Sequence, residues 1–183
     1  MAIVTTPIGG VNINEVTAPL DKDGNTSTTD GVGAKFALGT RLSGTDGQEY
    51  VYCQAGAAIS TTTKQPFCLA IDENYQAVKV TKALASAGHL IGWAPQQIIP
   101  DNYFFWAITR GSNFNIKVGV SCAADVNLWT TATAGVLDDT SGGSHVVVLG
   151  VKLVVAAASA SASAGSTVRE AIVTNTLVPL LIA

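Results

Sequence analysis

Charge is scarce in this chain. Asp, Glu, Lys and Arg make up 13% of its 183 residues, while 48% are hydrophobic and the mean hydropathy is +0.35. That balance raises the question of a membrane, and the lack of long apolar runs argues against one. A helix needs roughly 20 consecutive apolar residues to cross a bilayer. The longest runs here are 146–151 (VVVLGV) and 153–158 (LVVAAA), separated by Lys152. The apolar surface is therefore expected in a core and in contacts with other chains. Basic residues are few as well: 10 Lys and Arg stand against 13 Asp and Glu, for a net charge of -3. No basic patch supplies the counterion release that dominates nucleic-acid affinity. Neither nucleic acid nor membrane is expected as a partner.

Residues that usually carry chemistry are also rare. There are 3 Cys and 2 His. Cys53, Cys68 and Cys122 are far apart and have no neighbouring His, so they lack the close pairing of a zinc site. Residues 1–10 have neither the basic start nor the apolar centre of a secretory signal. Reduced, buried thiols in a cytosolic setting are the expectation. His89 opens an apolar segment and His145 follows a Gly/Ser loop. Without a G-x-S-x-G turn, neither suggests a catalytic triad. Asp72-Glu73 and Asp138-Asp139 could bind a metal or exchange protons, but beside Gly and Thr they read as turn formers. Asp21-Lys22-Asp23-Gly24-Asn25 resembles the start of a calcium loop. The sixth and twelfth positions, which need Gly and Glu, hold Thr26 and Val32. Gly9-Gly10 and Gly142-Gly143 lack the strand–loop–helix setting of a phosphate site. Trp93, Trp106 and Trp129 suggest core residues before they suggest a sugar platform. No catalytic residue, cofactor or metal ligand is expected.

What the sequence does have is alternation. Phe36, Leu38, Thr40 and Leu42 share one face, and a Gly-Thr-Asp-Gly turn at 44–47 leads back through 49–54. Segments 66–71 and 77–80 flank an Asp72-Glu73-Asn74 turn. Segment 89–94 ends at Pro95. In 103–109, Phe104, Trp106 and Ile108 face opposite to Tyr103, Phe105 and Ala107. Residues 110–113 (RGSN) read as a turn into 114–118, where Phe114, Ile116 and Val118 alternate with Asn115 and Lys117. Segments 126–130, 135–137 and 145–155 continue the pattern. Turns every ten residues or so suit a β-sandwich or barrel. One helical turn is expected at 82–88.

The expected fold is thus all-β: a compact β-barrel or sandwich at 36–183, preceded by an extended arm at 1–35. An Ala/Ser-rich loop at 156–166 precedes the last strand, 167–182. The arm carries Ile3, Val4, Ile8, Val11, Ile13, Val16 and Leu20 among polar residues. These are too dispersed to form a core alone and are expected to contact a neighbouring chain. The arm is expected to be mobile in isolation and dispensable for folding.

From residue 37 to Pro179 the order of segments becomes more specific. It runs from Ala37-Leu38-Gly39-Thr40 to the Tyr-rich strand at 50–56, then the aromatic strand 104–111 ending in Gly. The hairpin LWTTATAGVLDD follows at 128–139, then the strand at 149–153, the Ala/Ser loop and a last strand. This order resembles the small head decoration, or capsid cement, proteins of tailed bacteriophages, over about three quarters of the chain. The resemblance implies a structural virion protein on the capsid exterior, assembled in the host cytoplasm. It implies the major capsid protein as partner and self-association as a homotrimer, with no enzymatic activity. The alternative is a receptor- or glycan-binding head fibre or adhesin domain, using an exposed aromatic cluster around Trp93 and Tyr103.

Overall fold

The computed structural model describes residues 11–20, 33–44, 47–62, 64–157 and 168–173, with Asn113 and 168–173 described by backbone alone. Ile3, Val4, Ile8, the 21–25 motif and most of the Ala/Ser loop lie outside the described residues. The protein is all-β, with 38% of the described residues in strands and 4% in helix. Its centre is a closed five-stranded barrel. Strand β2 (Glu49–Ala55) pairs with β4 (Gln76–Lys79), which pairs with β3 (Cys68–Ile71), then β5 (Leu90–Trp93), then β6 (Phe104–Lys117), which returns to β2. The β2–β4 pairing is parallel and the others in the barrel are antiparallel. Strand β1 (Arg41–Ser43) extends β2 as the expected hairpin.

Alternation decides what fills the barrel, because successive side chains on a strand point to opposite faces. Val51, Cys53 and Ala55 of β2 meet Leu69 and Ile71 of β3 and Phe105 and Ala107 of β6 in one fully buried cluster. The opposite faces are buried too. Tyr50, Tyr52, Phe104 and Trp106 form a separate aromatic layer outside β2 and β6. Cys68, Ala70, Ile91 and Trp93, outside β3 and β5, join a third cluster with Phe114, Ile116 and Val118.

Strand β6 is common to two sheets. The expected turn at 110–113 is absent, and the strand runs unbroken for 14 residues. Gly111 has φ +142°, and a Cβ there would press on Gln48. The register shifts beside it, at Glu49/Tyr50 and at Ala171/Val173. The Arg-Gly-Ser-Asn signal therefore marks a bulge that re-aims the strand. Beyond it β6 pairs with β11 (Val168–Val173), which pairs with β10 (Val151–Leu153). A small sheet of β8 (Leu137–Asp138), β7 (Leu128–Thr130) and β9 (Val147–Val148) completes the third cluster. The helix α1 (Lys82–Ser86) is the expected single turn, capped by the Thr81 hydroxyl accepting from the Leu84 N–H at 3.3 Å.

Packing crosses the expected boundary at residue 35. Val11 and Ile13 pack on the aromatic layer and Val16 packs on the barrel cluster. Thr17 and Phe104 exchange two backbone hydrogen bonds of 2.9 Å, so residue 17 caps the free edge at the start of β6. Residues 11–20 are thus a strap on the chain's own barrel. The reason is physical: β2 and β6 are apolar on both faces, and the outer aromatic face needs cover that the barrel's own five strands do not provide.

Candidate functional site

Of the residues expected to contact a neighbour, Val11, Ile13 and Val16 are half-buried against their own chain, and Leu20 lies against Gly33. The strap is fastened in several ways. The Lys35 ammonium pairs with the Glu15 carboxylate, and the Lys35 N–H donates to the Tyr52 hydroxyl oxygen at 3.2 Å. Phe36 lies edge-on to Tyr52 at 5.3 Å and 5.2 Å from Trp106. Burial raises the Tyr52 pKa, partly opposed by the Lys35 N–H.

The aromatic cluster expected around Trp93 and Tyr103 is not a surface platform. Trp93 is 0% exposed and lies 5.6 Å from Phe114 in the core, while Tyr103 packs against the barrel cluster. Trp106 is equally sealed and Trp129 is half-buried. Trp93 is one of the inward-packed residues between β5 and the second sheet, which the local sequence could not show.

Among the described residues one group brings metal-type donors together. Ligand atoms of Cys122, Asp138 and Asp139 lie within 4.8 Å of one another. A thiolate with carboxylates would suit a borderline ion such as zinc. The carboxylates already have other tasks. Asp139 Oδ2 accepts the Ala123 N–H at 2.7 Å, and Asp138 Oδ1 accepts the Asp139 N–H at 2.8 Å. The Ala123 bond holds the Asp139 carboxyl below the usual range. Burial, then the neighbouring Asp139, pushes Asp138 up. Burial and the two carboxylates push the Cys122 thiol to about 12, so it keeps its proton near neutrality. The group works as a staple between the loop after β6 and the end of β8. The sequence reading of this pair as turn formers is corrected: Asp138 ends strand β8 and the Asp139 carboxylate reaches across to residue 123.

The two histidines stay apart. His145 Nδ1 accepts the Gly142 N–H at 3.1 Å and closes its own Gly/Ser loop. His89 lines a shallow depression with Asp72 and Leu84. All three cysteines are buried and unbridged, as expected.

The sequence reading missed a surface feature. Val120, Val126, Val154 and Val155 are 54%, 37%, 42% and 51% exposed. They lie on two segments held side by side: the Asp125 N–H donates to the Leu153 carbonyl at 3.1 Å and the Ala157 N–H to the Cys122 carbonyl at 2.7 Å. The two paired segments thus expose four valines beside the small sheet, here called the valine ridge. A signal was present at Val154, which shares strand parity with exposed Lys152 while Val151 and Leu153 point inward.

No family model, curated protein or solved structure matches this chain.

Proposed function

We propose that this chain is a structural virion protein, a decoration or cement protein on the outside of a tailed-phage capsid. In this reading it bridges neighbouring major capsid protein subunits, associates as a homotrimer and stabilises the expanded shell without catalysing a reaction. The order of strand and turn motifs supplies the class. The observation that carries the reading is the valine ridge at residues 120–126 and 153–157. Exposed valines on two paired segments give a preformed apolar surface, the kind from which the centre of a permanent interface is built. Two backbone hydrogen bonds between the segments hold that surface in place, so little ordering entropy opposes attachment.

The test is reconstitution. Purified protein is added to undecorated expanded heads, and occupancy is read by electron cryomicroscopy before and after heating. Stoichiometric, protective binding is expected, together with its loss in the Val154→Asp, Val155→Asp double variant. An unaltered occupancy with the folded variant would remove the ridge from the interface. No binding of the wild-type protein would overturn the reading.

A further inference from the structure

We infer that a cleft between the strap and the bulge of β6 is a binding site for an uncharged saccharide. The cleft measures about 450 Å³, within the ~300–1,000 Å³ typical of small-ligand sites. It opens where the turn at residues 13–14, the loop at 95–97 and the two halves of β6 meet. Among the described residues its lining contains no Asp, Glu, Lys, Arg or His. Five side chains are carboxamides instead: Asn14, Gln48, Gln96, Gln97 and Asn115. Three of the chain's 6 glutamines are therefore gathered at one place.

That lining selects a chemistry. Each carboxamide both donates and accepts hydrogen bonds, as do sugar hydroxyls. A charged ligand would meet no countercharge among the described lining residues, and an unpaired charge withdrawn from water is costly. The amides are already in register with one another. Asn115 Nδ2 donates to Gln96 Oε1 at 3.3 Å, and the Tyr50 hydroxyl donates to Gln48 Oε1 at 3.1 Å. Gln96 and Asn115 are exposed at the rim and Gln97 is half-buried. Ile108, Phe114, Pro66 and Pro95 provide apolar surface for the C–H face of a pyranose ring.

An extended peptide is disfavoured by the backbone. Strand addition needs a free sheet edge. Here Ile108 stands opposite both Tyr50 and Trp93 and the Lys117 N–H is taken by the Pro66 carbonyl at 2.9 Å, so the stretch of β6 around residues 114–115 that has one strand partner is too short for strand addition. Recognition must go through side chains, which fits a compact polyol. The inference stands apart from capsid attachment, since the valine ridge contributes nothing to the cleft lining.

The experiment is a titration of full-length isotope-labelled protein, followed by nuclear magnetic resonance of the backbone and carboxamide groups. The probes are the methyl glycosides of glucose, galactose, mannose and N-acetylglucosamine, with N-acetylneuraminic acid as the charged comparison. Saturable shifts at Gln97 and Asn115 with at least one neutral glycoside are expected. The Gln97→Ala, Asn115→Ala double variant should bind it ~10-fold or more weakly, about 1.4 kcal/mol. An unchanged backbone spectrum elsewhere shows that the variant is folded, since neither residue belongs to a buried cluster. No shift with any neutral glycoside, equal affinity in the variant, or preference for the charged sugar would each overturn the assignment.

Discussion

The inside of the barrel and the aromatic layer outside β2 and β6 are built on the same strands, yet they are closed by different means. The interior is sealed by the ring of strand pairing itself, and its side chains are mostly small or aliphatic. The outer layer holds Tyr52, Phe104 and Trp106, equally buried, but its cover is the strap at 11–17 and the segment at 36–42. Outside β1, that cover has few backbone bonds among the described residues: two between Thr17 and Phe104, and two joining Gly39 and Thr40 to Tyr52. One core is closed by topology and the other by irregular chain. A core of the second kind is as deep as the first but easier to uncover.

The sharpest test of that equivalence is to empty one site on each face. Phe105→Ala on the inside and Trp106→Ala on the outside should each cost ~3–5 kcal/mol, the usual range for a buried large aromatic. Denaturant unfolding followed by circular dichroism measures both. A Trp106→Ala loss below ~1 kcal/mol would show that the strap does not seal the outer layer in solution.

Deleting residues 1–20 should affect mainly the outer layer, with Val16 also withdrawn from the barrel cluster. The three half-buried aliphatic side chains that pack on the two clusters, Val11, Ile13 and Val16, are worth together about 2–3 kcal/mol. Trp106 fluorescence should shift to the red while the barrel remains folded. Unchanged stability would restore residues 11–20 to a free arm, available to a neighbouring chain.

The two faces also differ in how far the sequence revealed them. Alternation placed Phe104, Trp106 and Ile108 opposite Phe105 and Ala107, and it marked β2, β3 and β5, because period-two patterns are local. What covers an outer face is not local. Val11, Ile13 and Val16 have no periodicity of their own, so their partners some 90 residues away could not be read from them. The same limit applies to Gly111, where turn chemistry and bulge chemistry use the same residues. The amide cleft was illegible for the same reason. Gln48, Gln96 and Asn115 come from three separate segments, and only the bulge of β6 brings them together.

Gly39 tests how finely the irregular cover is fitted. Its φ is +81°, and a Cβ would lie 2.3 Å from the Tyr75 ring. Gly39→Ala should therefore cost ~1–2 kcal/mol in backbone strain alone. The ring contact adds to that, so Tyr75→Ala should relieve part of the loss in a double-mutant cycle. Strict additivity of the two substitutions would mean that the ring and residue 39 do not meet.

The smallest expected effect separates the two faces by their protons. Cys53 and Tyr52 are adjacent on β2 and point to opposite sides. Burial is the main cause that raises both pKa values, and the Cys53 thiol, fully enclosed in the barrel, is pushed far above its ordinary range. A thiol in the unfolded chain ionises near pH ~8.5. Because the folded pKa is the higher one, the folded state keeps a proton that the unfolded state releases. Stability is therefore retained below ~8.5 and lost as pH rises above it. For one thiol the loss between pH 8.5 and 9.5 is ~1 kcal/mol. Comparing wild type with Cys53→Ala cancels the other titrating groups, including Lys117, whose lowered pKa acts in the opposite direction. The variant should show the shallower alkaline slope in urea midpoints measured across that range. Identical slopes would mean that the barrel interior admits hydroxide or water as readily as the strapped face, and the distinction between a core closed by topology and one closed by irregular chain would fail at its most enclosed residue.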